Sequence, residues 1–201
     1  MPSVMIPSHT AAGRGRAAYY VGHALGDLHL GYRLANLVCA CVPGFASGVL
    51  RTRLYRLAGI DIHPTAYITG NLELVGGEPL GFYGRLQVGP GVVIGNHVTI
   101  NLDGEVRLEE NVSLGPFVKV YTASHPIGPG SNRRHGQVLA KPVSVGRGSW
   151  IGLGALVLPG VTIGKGCIVA AGSVVTSDVP DNAYVEGNPA KVVDNLPWGN
   201  R

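Results

Sequence analysis

An aliphatic residue returns at every sixth position through the last third of this chain, and that period leaves few folds open to it. The run is Val145, Ile151, Val157, Ile163, Val169 and Val175. Three positions after each of the first five comes a glycine: Gly148, Gly154, Gly160, Gly166 and Gly172. A helix repeats every 3.6 residues and a flat strand every two, so a period of six belongs to neither. It predicts a β-helix of hexapeptide repeats, with glycine at its corners and one aliphatic side chain per strand pointing into a narrow interior.

The same period extends, less regularly, toward the N-terminus. Its aliphatic positions there are Ile62, Ile68, Leu74, Val88, Ile94, Ile100, Leu108, Leu114 and Val120. The register slips by two residues at Asp103–Gly104–Glu105, and residues 76–85 and 126–142 interrupt it altogether. Irregular positions in a strict register and long excursions from a scaffold often lie beside functional sites, so we expect a site near these breaks.

We predict an all-β chain with a short helical N-terminal segment and an extruded loop. Apolar residues recur at three- and four-residue spacing before residue 59, which predicts two or three short helices, broken at Pro43–Gly44 and ended at Gly59. The predicted parts are a flexible basic tail at 1–17, a helical segment at 18–59, the β-helix at 60–180 with its loop at 126–142, and a closing segment at 181–201.

Composition and charge say more about the compartment and the partners of the protein than about the reaction that it could catalyse. The net charge of +4 suits an anionic ligand or a membrane surface without choosing between them. The three cysteines have the spacing of neither a disulfide framework nor a zinc site, which favours a reducing cytoplasm. The N-terminus lacks the apolar core of a signal peptide, and the apolar stretch 34–50 is too interrupted for a membrane span. No nucleic-acid-binding motif is present, so we expect no such partner.

Three segments of the chain resemble the hexapeptide-repeat acyltransferases. They are YTASHP (121–126), SWIGLGALVLPGVTIGKGCIVAAGSVVTSDVP (149–180) and VEGNPAKVV (185–193). The chain is most similar to the sugar and polysaccharide O-acetyltransferases, which include the maltose, galactoside, nodulation-factor and colanic-acid-type enzymes. The resemblance implies a left-handed parallel β-helix, a homotrimer, acetyl-CoA bound between neighbouring subunits, and no metal.

His125 is the candidate catalytic residue. It follows the last coil before the excursion, at the rim of a rigid scaffold. Acyl transfer from a thioester to a hydroxyl needs a base, and imidazole suits that task near neutral pH. The resemblance implies that His125 is this base and that transfer is direct, in a ternary complex. No serine or cysteine lies in a recognisable nucleophile motif, and Ser124 is expected to shape the turn.

Four further residues are candidates for binding the acceptor: Asn96, Asn101, Asp103 and Trp150. The resemblance implies that Asp103 binds the acceptor hydroxyls or orients the imidazole; its alternative is a turn residue before Gly104. Asn101 matches an asparagine of the polysaccharide enzymes, and Asn96 falls one residue out of register with an asparagine of the galactoside enzymes. An asparagine ladder between coils is the alternative for these two. Trp150 is implied to line the channel where acceptor and coenzyme meet, with packing between subunits as its alternative.

Positions matching the family's coenzyme contacts follow Trp150. The resemblance implies that acetyl-CoA is bound by six residues: Trp150, Leu153, Ala171, Thr176, Ser177 and Lys191. Leu153 is larger than the serine that is common at this position in the family. The resemblance therefore implies a coenzyme contact through the backbone of Leu153 and not through its side chain. Ser177 replaces a common lysine, which weakens the expected phosphate contact.

Several alternatives stay open from the sequence. Arg133, Arg134 and His135 on the excursion either grip the acceptor or form a solvated tip. The acceptor is a sugar or glycan hydroxyl, or else an antibiotic, another small alcohol or an amine. A γ-type carbonic anhydrase would need three converging histidines from His63, His97, His125 and His135, and a non-catalytic scaffold would not need His125. The helical leader is similar to that of the polysaccharide enzymes, which points to peripheral contact with the inner membrane surface through these helices.

Overall fold

The computed structural model describes residues 29–42, 47–76, 83–131, 133 and 136–197. The predicted tail at 1–17, the first part of the helical segment and the candidates Arg134 and His135 lie outside these residues. So does the predicted helix break at Pro43–Gly44.

Two helices precede the coils in the described residues, α1 at Leu30–Cys41 and α2 at Gly48–Leu57. They pack on the first coil through two tyrosines. The Tyr32 hydroxyl donates to the Leu72 carbonyl at 2.7 Å, and the Tyr55 hydroxyl accepts from the Leu72 N–H at 3.0 Å. Gly59 follows α2 with a φ of 92°, which ends the helix as predicted. Neither helix has the length and apolarity to cross a bilayer.

The rest of the described chain is built from short strands. In chain order they are β1 Asp61–Ile62, β2 Tyr67–Ile68, β3 Leu72–Val75, β4 Leu86–Val88, β5 Val93–Ile94, β6 Val98–Asn101, β7 Val106–Leu108, β8 Ser113–Leu114, β9 Lys119–Val120, β10 Ala123–Ser124, β11 Leu139–Ala140, β12 Val143–Val145, β13 Trp150–Ile151, β14 Leu156–Val157, β15 Thr162–Ile163, β16 Ile168–Val169, β17 Val174–Val175, β18 Ala183–Gly187 and β19 Ala190–Asn195.

These strands form three parallel sheets, which are the faces of a triangular prism. The first face contains β1, β4, β7, β12 and β15; the second contains β2, β5, β8, β13, β16 and β18; the third contains β3, β6, β9, β14 and β17. Each complete coil contributes one strand to each face. β19 pairs antiparallel with β18 and closes the end of the second face. The predicted left-handed parallel β-helix is confirmed.

The six-residue period places the core. Its aliphatic positions are buried from Ile62 through Val175, none more than 7% exposed. Burying each such side chain stabilises the fold by roughly 1.5–3 kcal/mol, and each coil packs mainly on its neighbours. The corner glycines of the late coils have φ between 62° and 86°. At the equivalent corners of earlier coils His97, Asn111 and Phe117 adopt φ of 55° to 61° without glycine, which explains the weaker repeat there.

The excursion after the third coil has more structure than its sequence predicts. β10 pairs antiparallel with β11, which lies inside the predicted loop at 126–142. The two arms therefore leave and rejoin the prism as a short ribbon. The tip carries a further backbone bond, from the Gly128 N–H to the Arg133 carbonyl at 2.9 Å.

Candidate active site

The described residues of the three irregular segments lie at one corner of the prism. Residues 76–85 follow β3, residues 102–105 follow β6 and residues 121–142 follow β9, so each connects the third face to the first. Because the coils stack in register, residues from these segments lie one above another. We call this edge the excursion corner. It brings together Asn101, Asp103, Thr122 and the ribbon that precedes His125.

Thr122 is the hydrogen-bonding centre of the excursion corner. Its side chain is fully buried, and its Oγ1 lies 2.7 Å from Asn101 Oδ1 and 2.8 Å from the Asn101 carbonyl. The Gly104 N–H donates to the same Oγ1 at 2.8 Å. The Thr122 carbonyl accepts from the Lys141 N–H at 2.7 Å. One residue thus joins the second coil, the register slip and both arms of the ribbon.

Asn101 and Asp103 continue this network. Asn101 is 6% exposed, and its Nδ2 donates to Asp103 Oδ2 at 2.9 Å. Its Oδ1 accepts from Thr122, so both ends of the amide are engaged. Asp103 is half-buried and lies against Gly76, where an added Cβ would sit 2.8 Å from Oδ1. The Asn101 amide therefore links two coils through a threonine, not through a second asparagine. Contact of either residue with an acceptor stays a prediction.

His125 directly follows β10, at the end of the paired strands that is farther from the prism. The residue is partly exposed, but its Nδ1 is shielded from solvent and has no hydrogen-bond partner among the described residues. Nε2 is therefore the ring nitrogen open to a second molecule. A buried polar atom left without a partner costs about 1–3 kcal/mol, so a group from outside the single chain would stabilise this ring.

A second group of candidates lies at the corner between the second and third faces. Asn96, Leu153 and Ala171 lie there in the second, fourth and fifth coils, and the fourth and fifth coils are joined there by the bond from the Gly172 N–H to the Leu153 carbonyl at 2.8 Å. We call this edge the coenzyme corner. Leu153 is 55% exposed and Ala171 is exposed, whereas the Asn96 Oδ1 accepts from Thr69 Oγ1 at 2.8 Å. A single chain thus places Asn96 and His125 at different corners of the prism.

The remaining coenzyme candidates are spread along the last coils. Thr176 and Ser177 are exposed and follow β17, on the edge that continues the excursion corner. Lys191 is exposed on β19, opposite Glu186 in the antiparallel ladder. Their roles toward a coenzyme stay predictions.

The outward side chains differ in character between the faces. On the second face, strand pairing aligns Tyr67, Val93, Ser113, Trp150, Ile168 and Tyr184, none of them charged. On the first face the aligned column includes Asp61 and Arg107. Trp150 is 53% exposed at the centre of the uncharged column. The second face is therefore the one best suited to contact another protein surface.

A polar groove of about 510 Å³ lies on the first face, away from the predicted site residues. Its lining contains cations and anions that pair locally. Glu109 accepts from the Arg147 N–H at 3.1 Å, and Arg147 lies 4.0 Å from Glu110. The described lining of the groove contains no histidine, serine or cysteine, and two of its carboxylates are engaged with Arg147.

Two other chemistries were tested against the geometry. His63 follows β1, His97 lies at the coenzyme corner and His125 at the excursion corner, so these histidines do not converge. In the part of the chain that the structure describes, no three His, Cys, Asp or Glu side chains are grouped as metal ligands. Cys167 fills a buried repeat position, where burial raises the pKa of its thiol and disfavours the nucleophilic thiolate.

The sequence reading missed Thr122 and Arg85. Thr122 belongs to the YTASHP segment, but nothing in the segment distinguishes its hydroxyl from an ordinary core threonine. Arg85 Nη1 donates to the carbonyls of Leu102 at 3.0 Å and Asp103 at 2.8 Å, and so supports the register slip from the preceding coil. Nothing in the local sequence marks that contact.

Comparison with known proteins finds the same repeat and similar acetyltransferases. The family described as hexapeptide repeat of succinyl-transferase matches residues 142–177. Nodulation protein L of Rhizobium meliloti is 43% identical over 53% of this chain and 68% of its own length. A galactoside O-acetyltransferase of Lactococcus lactis is 38% identical, over 54% of this chain and 52% of its own. The chain thus spans about two thirds of the first relative and half of the second.

A solved structure supports the same fold over more of the chain. The hexapeptide-repeat acetyltransferase VCA0836 from Vibrio cholerae, complexed with acetyl-CoA, aligns with a TM-score of 0.70 and 27% identity. The alignment covers 85% of this chain and 87% of that one. The similarity therefore extends well beyond the late coils in which the repeat is strictest.

Proposed function

Because this chain belongs to the hexapeptide-repeat acetyltransferase family, we propose that it transfers an acetyl group from acetyl-CoA to a hydroxyl of a sugar or glycan acceptor. The observation that carries this proposal is the position of His125. It follows the ribbon that leaves the excursion corner, is partly exposed, and has a shielded Nδ1 without a partner among the described residues. Relatives named as galactoside O-acetyltransferases favour a sugar acceptor over an antibiotic or an amine.

The proposed mechanism is direct transfer in a ternary complex. His125 Nε2 takes the proton of the acceptor hydroxyl while its oxygen attacks the thioester carbonyl. The C–S bond of the resulting tetrahedral oxyanion then breaks, and the imidazolium returns the proton to the departing thiolate of coenzyme A. Backbone N–H groups of a neighbouring coil are the proposed donors to the oxyanion.

Acetyl-CoA is the proposed donor, held along the exposed corner positions. Leu153 and Ala171 are both exposed, and we propose that their backbone groups pair with the amides of the pantetheine arm. Trp150 offers an apolar wall beside them. Thr176, Ser177 and Lys191 extend the proposed site toward the charged end of the coenzyme.

A homotrimer is proposed because the candidate residues are divided between two corners. His125, Asn101 and Asp103 lie at the excursion corner, whereas Leu153 and Ala171 lie at the coenzyme corner. A site containing both groups forms when the excursion corner of one subunit faces the coenzyme corner of the next. Two features support a neighbouring subunit: the uncharged column on the second face, which borders the coenzyme corner, and the His125 Nδ1, which has no partner among the described residues.

The donor and acceptor are tested by a thiol-release assay with acetyl-CoA against sugars, nucleotide sugars, aminoglycosides and simple amines. We expect thiol release that depends on a sugar, and an O-acetylated sugar by mass spectrometry. Release that depends only on an amine would replace the proposed acceptor. If the protein binds acetyl-CoA but releases no thiol with any compound, the tested sugars are excluded as acceptors.

Peripheral membrane contact through the helices is a separate proposal. Helices α1 and α2 contain no Asp or Glu, and they leave large aliphatic side chains exposed: Leu30, Leu34, Leu37, Val38, Val49, Leu50 and Leu57. Arg33, Arg53 and Arg56 are exposed among them. An apolar, cationic surface suits anionic lipid. A cytoplasmic location, where acetyl-CoA is supplied, also stays a prediction.

Vesicle sedimentation tests this contact. We expect the full chain to sediment with vesicles containing phosphatidylglycerol but not with pure phosphatidylcholine. Leu34→Ser with Leu37→Ser should abolish the binding, because both side chains are more than 60% exposed and their loss removes apolar contact area. If the unaltered protein stays in the supernatant with both lipids, the proposed membrane contact is wrong.

A further inference from the structure

We propose that Thr122 is a positioning residue for His125, acting through its buried hydroxyl. The inference rests on the proposed role of His125 as general base. Thr122 makes no contact with the substrate in this proposal. Its role is to hold the start of the ribbon in the one position that aims the imidazole at the acceptor.

The hydrogen bonds of Thr122 leave it little freedom. Its hydroxyl proton is shared with Asn101, whose Oδ1 and carbonyl lie 2.7 and 2.8 Å away, and the Gly104 N–H donates to its oxygen. Its own N–H donates to Asn101 Oδ1 at 3.3 Å. With the carbonyl bound to Lys141, every polar group of the residue is engaged.

The path from Thr122 to His125 is short and stiff. The two intervening residues form β10, which pairs with β11 through Ala123–Ala140 and Ser124–Leu139. The bond from Lys141 to Thr122 fixes the returning arm to the same residue. A shift of Thr122 therefore passes directly to the imidazole. Displacement of a catalytic group by about 1 Å can lower the rate by roughly a hundredfold.

A regular corner of the β-helix does not require a hydrogen-bond network like the one around the Thr122 side chain. The regular corner between β14 and β15 closes with backbone bonds, from the Leu158 N–H to the Val175 carbonyl at 3.0 Å and from the Val161 N–H to the Leu158 carbonyl at 3.4 Å. The side-chain network appears where the register slips and the ribbon leaves the prism. Asp103 joins it through Asn101, which ties the slip to the same position.

Thr122→Val tests the proposal, because valine keeps the shape of threonine and removes the hydroxyl. We expect kcat to fall about ten- to a hundredfold, with KM for acetyl-CoA and the oligomeric state unchanged. Thr122→Ser, which keeps the hydroxyl, should restore most of kcat. Thr162→Val, on the exposed first face, is the matched control and should behave as the unaltered protein. A Thr122→Val protein with a lower melting temperature but full kcat below it would reduce Thr122 to a structural role.

A double substitution separates this proposal from the proposed function. If Thr122 acts through the imidazole, adding Thr122→Val to His125→Ala should cause no further loss of turnover. Independent, multiplying losses would overturn the positioning role while leaving His125 as the base. Full turnover of His125→Ala alone would instead overturn the base, and the positioning role with it.

Discussion

His125→Ala is expected to lower acetyl transfer at least about a hundredfold, the usual scale for loss of a general base. The substitution removes the nitrogen that would take the acceptor proton. It also removes the shielded Nδ1, which has no partner in the described part of the chain, so no hydrogen bond within a subunit is lost. The fold and the affinity for acetyl-CoA should therefore survive. The rate of thiol release at saturating acceptor is the measurement.

The matched control is His63→Ala. His63 is exposed, lies after β1 on a different edge, and its Nδ1 pairs locally with Thr65 Oγ1 at 2.9 Å. Its loss should leave turnover within about twofold, since a surface substitution away from the site has little effect. Equal activities of the His125→Ala and unaltered proteins would exclude His125 as the base, whatever the fate of the control.

The coils were predictable because a repeat of six constrains every turn in the same way. Val145 through Val175 are buried as their spacing requires, and their glycine corners have the left-handed φ that glycine tolerates. The earlier coils carry the same aliphatic positions with weaker corner signals. Phe117 and His97 occupy left-handed positions that their identities do not suggest, with their rings stacked 5.2 Å apart. Tertiary context overrides local preference at these corners.

His125 is the candidate base because of its place beside a break in the repeat and because YTASHP resembles the family's segment, but its surroundings could not be predicted. The bonds of Thr122 to Asn101 join residues in successive coils, and they depend on how far the register slips between them. The pairing of β10 with β11 depends on the path of the excursion, which has no repeat to follow. The two tyrosines that attach the helices to Leu72 likewise depend on packing, not on spacing along the chain.

Mixed oligomers are expected to recover activity from two inactive proteins. His125→Ala damages the excursion corner, and Ala171→Glu places a carboxylate at the exposed coenzyme corner, where it should exclude the pantetheine arm. Each variant alone should lose most turnover for a different reason, the first through kcat and the second through binding of acetyl-CoA. If each site combines corners from two subunits, some sites in a mixed trimer contain neither substitution.

The size of the recovery follows from counting. In trimers assembled at random from equal amounts of the two variants, about a quarter of the sites draw both intact corners. In the control, the two variants are assembled separately and then combined without dissociating their subunits. This mixture should remain inactive. A variant pair that damages only one corner, His125→Ala with Thr122→Val, should not recover on mixing, because every site would then carry a damaged excursion corner.

Thiol release per site in these mixed oligomers tests most directly whether one subunit supplies the base and its neighbour the coenzyme corner. Recovery near a quarter of the unaltered rate is the predicted result. Turnover that stays at the level of the separate variants, in oligomers shown to contain both chains, would place base and coenzyme within one subunit and contradict the shared site.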